Sequence, residues 1–123
     1  MSDSLLYILP SPGREDTSSG FGITTDINRR IQTYMSHIGP LADNFEMKYV
    51  YKGLSGIIET LEDDIKGLLA HDIWQPEHQS TGAKWYTEWT LTTPFNDLKK
   101  LVDETIKKNF YDISLYKTNL KLQ

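Results

Sequence analysis

The sequence predicts an α+β domain: a small central, mostly antiparallel sheet with helices packed against it. Three observations predict this class. A β-prone run, "LLYIL" at 5–9, is followed ten residues later by a second short stretch, "GFGIT" at 20–24. Two further stretches, 45–52 and 84–92, alternate with the two-residue period of a strand. Three other segments repeat apolar residues at helical spacing. The predicted order is ββαβαβα, one sheet with helices packed on it.

Each element follows from local chemistry. Pro10 and Pro12 end the first strand, and the polar loop "PSPGREDTSS" leads to the second. Two strands so close in sequence fit an antiparallel hairpin with a long loop. Thr25 or Asp26 can cap the first helix, where Ile27, Ile31, Tyr34, Met35 and Ile38 recur before Gly39-Pro40 stops it. In "FEMKYVYK" Phe45, Met47, Tyr49 and Tyr51 are expected on one face, against Glu46, Lys48 and Lys52. A second helix is predicted over 54–71, with Leu54, Ile58, Leu61, Ile65, Leu68 and Leu69 on its inner face. A loop at 72–83 precedes a fourth strand at 84–92. Its face of Trp85, Thr87, Trp89 and Leu91 opposes Tyr86, Glu88 and Thr90. Thr93 is expected to cap a third helix and Pro94 to open it. Residues 109–123 are ambiguous, with "YDISLY" a candidate edge strand.

Length and charge narrow the function. The 123 residues fit one domain, 1–123, with one modest core. Hydrophobic content of 38% and charged content of 24% indicate a globular chain rather than a disordered one. The absence of cysteine excludes disulfides, thiolate zinc sites and a cysteine nucleophile, and suits a reducing cytoplasm. "LLYIL" is too short for a membrane span and lacks the basic flank of a signal peptide, so no membrane partner is expected. The net charge of −4 has the wrong sign for a general nucleic-acid binder, although the last 25 residues carry six lysines. A solvated helix face is the simplest account of those lysines. His71, Glu77 and His78 match no metal-ligand spacing. The glycines of "GFGI" lack the Lys-Ser/Thr of a phosphate-binding loop. Trp85, Tyr86 and Trp89 could stack bases, but Trp85 and Trp89 share the apolar face and are expected in the core.

Over residues 4–108 the chain resembles the GIY-YIG nuclease superfamily, in particular its small phage-type branch. "LLY" stands at the first motif and keeps its tyrosine, Tyr7. "GFG" stands at the second and keeps its glycine, Gly22, while Gly20 replaces the tyrosine. Arg30 lies eight residues after Gly22, where the family has its arginine. Tyr34 falls where the family has a histidine, and His37 lies a turn further on. "TEWTL" and the helix after it look like the end of the phage-type domain. Residues 109–123 would then be a C-terminal extension.

The resemblance implies a divalent-metal-dependent endonuclease acting on DNA in a bacterial or phage-infected cytoplasm. Tyr7, Arg30 and a glutamate would be catalytic. Gly22, Tyr34 and His37 would contact the substrate. The glutamate would hold Mg²⁺ or Mn²⁺, Arg30 would neutralise the phosphate, and Tyr7 would relay the proton of the attacking water. A phenol titrates near about 10, so Tyr7 would need Arg30 or the metal beside it. The family leaves the glutamate open between Glu59 and Glu62. At about 100° per residue, Arg30 and Glu62 lie at the edges of their apolar stripes, whereas Arg29 and Glu59 point to solvent. Phase therefore selects Arg30 and Glu62, with Glu62 the metal ligand, and Tyr7, Arg30 and Glu62 are expected in one cleft. With no recognition domain, specificity would come from loops, a homodimer or a tethering protein. The missing tyrosine and the acidic balance favour one alternative, an inactive GIY-YIG-like module that blocks or docks onto another protein. Acidic charge and small size suit the other, an unrelated α+β protein-binding factor of inhibitor or immunity type.

Overall fold

A strand with an unbroken apolar run, as at Leu5–Leu9, must be covered on both faces. That is the position of β1 (Asp3–Pro10), the middle of a five-stranded sheet of order β4-β2-β1-β3-β5. The computed structural model describes residues 2–11, 13–38, 46–73 and 87–121, without the side chains of 34–38 and 121. The side chains of Tyr34 and His37, together with Phe45, Glu77, His78, Trp85 and Tyr86, lie outside the described part.

The elements are β1, β2 (Ser19–Thr24), α1 (Ile27–Ile38), β3 (Glu46–Leu54), α2 (Ser55–Leu68), β4 (Thr87–Trp89), α3 (Phe95–Lys108) and β5 (Ser114–Lys121). All strand pairs are antiparallel, so the protein is an α+β fold with three helices against one sheet. Alternation along β1 divides the core. Leu6 and Ile8 point toward α2 and α3, where they meet Phe21, Ile58, Leu61, Ile65, Leu98 and Val102. Leu5, Tyr7 and Leu9 point the other way and meet Ile27 and Ile31 of α1. Complete burial of a leucine or isoleucine contributes roughly 1.5–3 kcal/mol, and Leu6, Ile8, Leu9, Ile58 and Leu61 are all at 0% exposure. This two-sided packing anchors the sheet.

Several local expectations are corrected. On β3, Tyr49 and Tyr51 face α2 and α3, whereas Met47 joins Val50 in the core beside α1. α2 ends at Leu68, not at 71, and Leu68 is 62% exposed. Leu91 is 39% exposed, and Trp89 is only partly buried. The ambiguous stretch from 109 holds an edge strand, as "YDISLY" allowed: β5 (Ser114–Lys121) pairs with β3.

Thr93 does not cap α3, and Pro94 occupies the N-cap position with no side-chain cap. The Thr93 hydroxyl donates to Asp72 instead, as do the Thr92 hydroxyl at 2.6 Å and the Thr92 amide at 2.9 Å. A carboxylate is a stronger acceptor than a neutral group, so it takes these donors. On the other side of the junction, Ser19 Oγ donates to the Thr93 carbonyl at 2.7 Å and the Ser19 amide to Thr90 Oγ1 at 3.1 Å. The end of α2, the start of β2 and the start of α3 are thereby tied at one point.

The turn after α3 carries a backbone constraint. Phe110 has φ of 55° and is 93% exposed. The Phe110 and Tyr111 amides donate to the Lys107 and Ile106 carbonyls, closing the helix by a left-handed residue. Glycine is the usual choice there, since a side chain in this conformation costs about 1–2 kcal/mol.

Asp72 supplies a test. Burial acts to raise its pKa, but the hydrogen bonds from Thr92 and Thr93 outweigh that and hold it below the ordinary 3.8. A carboxyl with a lowered folded pKa stabilises the fold above its unfolded pKa and loses that contribution as pH falls through the folded value. Urea denaturation between pH 5 and pH 2 should therefore show an acid-side loss that is smaller in Asp72→Asn. Equal slopes in the two proteins would exclude this role.

Candidate functional site

The site begins with a glycine. Tyr7, Gly22 and Thr87 are neighbours across three strands, Tyr7 opposite Gly22 and Gly22 opposite Thr87. Residues directly opposite each other share a face of the sheet. With no side chain at Gly22, the Tyr7 ring can lean over β2, and its hydroxyl lies 2.7 Å from Thr87 Oγ1. β1 and β4, on either side of β2, are about 9.5 Å apart, and the Tyr7–Thr87 contact crosses the position of Gly22.

Arg30 reaches the same hydroxyl from α1. Asp26 Oδ1 accepts the Arg29 amide at 3.1 Å, so of the two candidate caps Asp26 starts the helix. One turn later Arg30 lies against the sheet. Its Nη1 donates to the Tyr7 hydroxyl at 2.9 Å, its Nη2 donates to the Ile23 carbonyl at 3.2 Å, and its guanidinium carbon is 5.6 Å from the Tyr7 ring centre. Arg29 is exposed. Because Arg30 can only donate, the Tyr7 oxygen accepts from it, and the same hydroxyl shares a hydrogen bond with the Thr87 hydroxyl. Tyr7 is completely buried. It is a buried phenol whose hydroxyl holds Arg30.

Around Arg30 the surface opens into a depression of about 470 Å³ lined by Thr24, Thr25, Asp26, Arg29, Arg30 and Thr33. Two guanidinium groups, three hydroxyls and one carboxylate therefore meet at the start of α1, a composition suited to an anion.

Glu62 is elsewhere. It lies on α2, which packs on the sheet face opposite Tyr7 and Arg30. Its Oε1 is 3.4 Å from Lys66 Nζ, and the same ammonium is 3.4 Å from Glu88 Oε1. Glu88 pairs with Phe21, whose side chain belongs to the α2 side, whereas its neighbour Thr87 meets Tyr7 on the α1 side. The expected convergence of Tyr7, Arg30 and Glu62 is thus corrected: Tyr7 and Arg30 meet, and the sheet separates Glu62 from both. Helical phase orients a residue within its helix but leaves open which side of the sheet the helix covers.

The charges fit this arrangement. Burial raises the Glu62 pKa, and attraction to Lys66 only partly offsets it, since that lysine also serves Glu88. For Lys66 burial works against the charged form, but the two carboxylates outweigh it and raise its pKa. In a simple pair the acid would be lowered; here burial, with repulsion from Glu88 and Asp63, raises Glu62 instead. A divalent ion does not fit here. The ammonium stands between the two carboxylates where a cation would bind, and among the described residues no three His, Asp or Glu side chains cluster as a metal site.

Compared with known proteins, the chain matches no family model, no curated protein and no solved structure.

Two participants were missed by the sequence reading. Lys66 was detectable, as an i,i+4 partner of Glu62 on the same helix. Thr87 had no comparable signal, since its role depends on strand register. The structure also accounts for Gly20. A Cβ at Gly20 would lie 2.6 Å from Trp89 Cε3 and Cζ3, so the indole fills the space a side chain there would need.

Tyr7→Phe keeps the ring but leaves Arg30 and Thr87 without their shared partner. It should cost about 1–3 kcal/mol in urea denaturation; an unchanged midpoint would show that water replaces the hydroxyl freely. Gly20→Ala should destabilise by about 1–3 kcal/mol through overpacking. In a Trp89→Ala background the same change should be nearly neutral, and additive losses would show that Trp89 is not the obstacle.

Proposed function

We propose that this chain is a GIY-YIG-like module that binds the phosphate backbone of DNA at the Arg29–Arg30 depression and does not hydrolyse it. The observation that carries this reading is the separation of Arg30 from Glu62 by the sheet. Metal-assisted hydrolysis needs the phosphate ligand and the metal ligand on one substrate. Here Arg30 is oriented for an anion on one face, and Glu62 is engaged by Lys66 on the other.

The binding step follows from the side chains. Tyr7 and the Ile23 carbonyl hold one edge of the Arg30 guanidinium. A fixed guanidinium loses less freedom when it meets a phosphate, and its planar donors match two phosphate oxygens. Arg29 adds a second cation, and Thr24, Thr25 and Thr33 bring hydroxyls to the same depression. The net charge of −4 repels DNA elsewhere, which confines contact to this region and keeps affinity low.

The nuclease reading remains the competitor, favoured by the Tyr7–Arg30 contact and by motif order. One pair of assays separates them. A labelled DNA duplex should bind with an affinity that falls as salt rises, with a log–log slope of roughly −1 to −2 for one or two phosphates. Arg29→Ala, which leaves the Tyr7–Arg30 bond in place, should weaken binding several-fold and flatten the slope. Supercoiled plasmid should remain intact with Mg²⁺ or Mn²⁺. Nicking that EDTA and Glu62→Gln both abolish, with Glu59→Gln still active, would establish the nuclease instead. Absence of DNA binding at low salt would remove the DNA reading and leave the protein-binding alternative.

A further inference from the structure

Beyond the Arg30 depression, β5 is exposed on both faces. Residues 114–119 are all solvent-accessible, with Leu115 at 51% and Tyr116 at 46% exposure. Its inner edge pairs with β3, and its outer edge has no strand partner among the described residues. An eight-residue edge with accessible N–H and C=O groups is a template for another strand.

The side chains restrict which strand fits. Lys117 lies opposite Val50, on the α1 face. The register shifts between Val50 and Tyr51, which leaves Tyr116 as the extra residue. Its ring has Lys52 Nζ 5.0 Å and Lys117 Nζ 5.4 Å from its centre, so two ammonium groups flank one exposed aromatic. On the other face Leu115 lies opposite Tyr51 and exposes apolar surface. One face of the edge therefore carries Lys117 and Lys52, the latter also 3.7 Å from Asp3 Oδ2, and the other face is apolar. Pairing with a second copy in the register that sets Lys117 opposite Lys117 would bring like charges together, whereas an acidic strand places opposite charge there.

Phe110, five residues before Leu115, adds an independent observation. It is 93% exposed and holds a left-handed conformation that glycine would adopt at lower cost. Nothing in the fold's own packing accounts for a large apolar side chain there.

We infer that β5 is a docking edge for an extended acidic segment of another protein, one that alternates carboxylate and apolar residues. Its carboxylates meet Lys52 and Lys117, its apolar side chains cover Leu115, and Phe110 packs against its end. This surface does not depend on the Arg30 depression.

The test uses the full chain and a blocked, fluorescent nine-residue peptide alternating glutamate and valine, with a lysine–valine peptide as control. Anisotropy should show the acidic peptide binding at least tenfold more tightly than the basic one. Lys117→Glu should reverse that preference. Amide hydrogen exchange should show new protection in β5. Phe110→Gly should weaken the acidic peptide several-fold while raising the melting temperature, a combination that a purely structural role would not produce. The proposal falls if the two peptides bind equally, if Lys117→Glu has no effect, if duplex DNA rather than peptide protects β5, or if sedimentation shows the chain dimerising through this edge.

Discussion

A buried phenol must have its hydroxyl satisfied, and much of this structure follows from how that is done. Tyr7 sits on the central strand with no access to water. Its hydroxyl needs a donor and an acceptor close by, because an unpaired polar group inside a core costs roughly 1–3 kcal/mol. Arg30 donates to it from α1, and Thr87 at the sheet edge shares a hydrogen bond with it. Gly22, on the strand between, lies opposite both Tyr7 and Thr87. One hydroxyl thus couples the position of α1, the seating of β4 and the glycine of β2. The orientation of the Arg30 guanidinium is a consequence of satisfying the core.

The sheet acts as a partition between two charged groups. On the α1 side the Arg30 network opens toward solvent. On the α2 side Lys66 joins Glu62 to Glu88. The short strand β4 contributes to both, since consecutive residues of a strand point to opposite faces: Thr87 meets Tyr7 and Glu88 meets Lys66. Each network draws on a side chain from β4, so this edge strand is held from both faces although it has only three residues. Trp89 adds a third hold by lying over Gly20, and β2 must then be bare at that position.

The opposite edge follows another logic. β5 has backbone pairing on one side and little packing on either face, so hydrogen bonds to β3 secure it more than apolar burial does. Tyr111, just before it, donates to Asp64 of α2, which ties the entry of the strand to the helix layer. Lys117 at the centre of the strand is the kind of charge that blocks uncontrolled edge pairing. An opposite charge on an incoming strand is favoured at that position over a like one.

Much of the fold could be seen in the sequence because it is local. The order and type of the first seven elements follow from period, caps and breakers, and the i,i+4 pair of Glu62 and Lys66 is written along one helix. Phase within α1 likewise distinguishes Arg30 from Arg29. The candidate site was less legible. "LLYIL" is apolar at every position, so it carries no alternation to show which face Tyr7 takes or which helix covers it. The faces were decided by the crossovers of the chain, and they placed Glu62 behind the sheet. Thr87 met Tyr7 only through strand register across Gly22, and Trp89 filled the space over Gly20 in the same way. β5 stayed ambiguous because a strand exposed on both faces has no apolar period; its pairing with β3 alone defines it. Periodicity sets the orientation of a residue within its own element, but only long-range pairing and packing set which elements face each other.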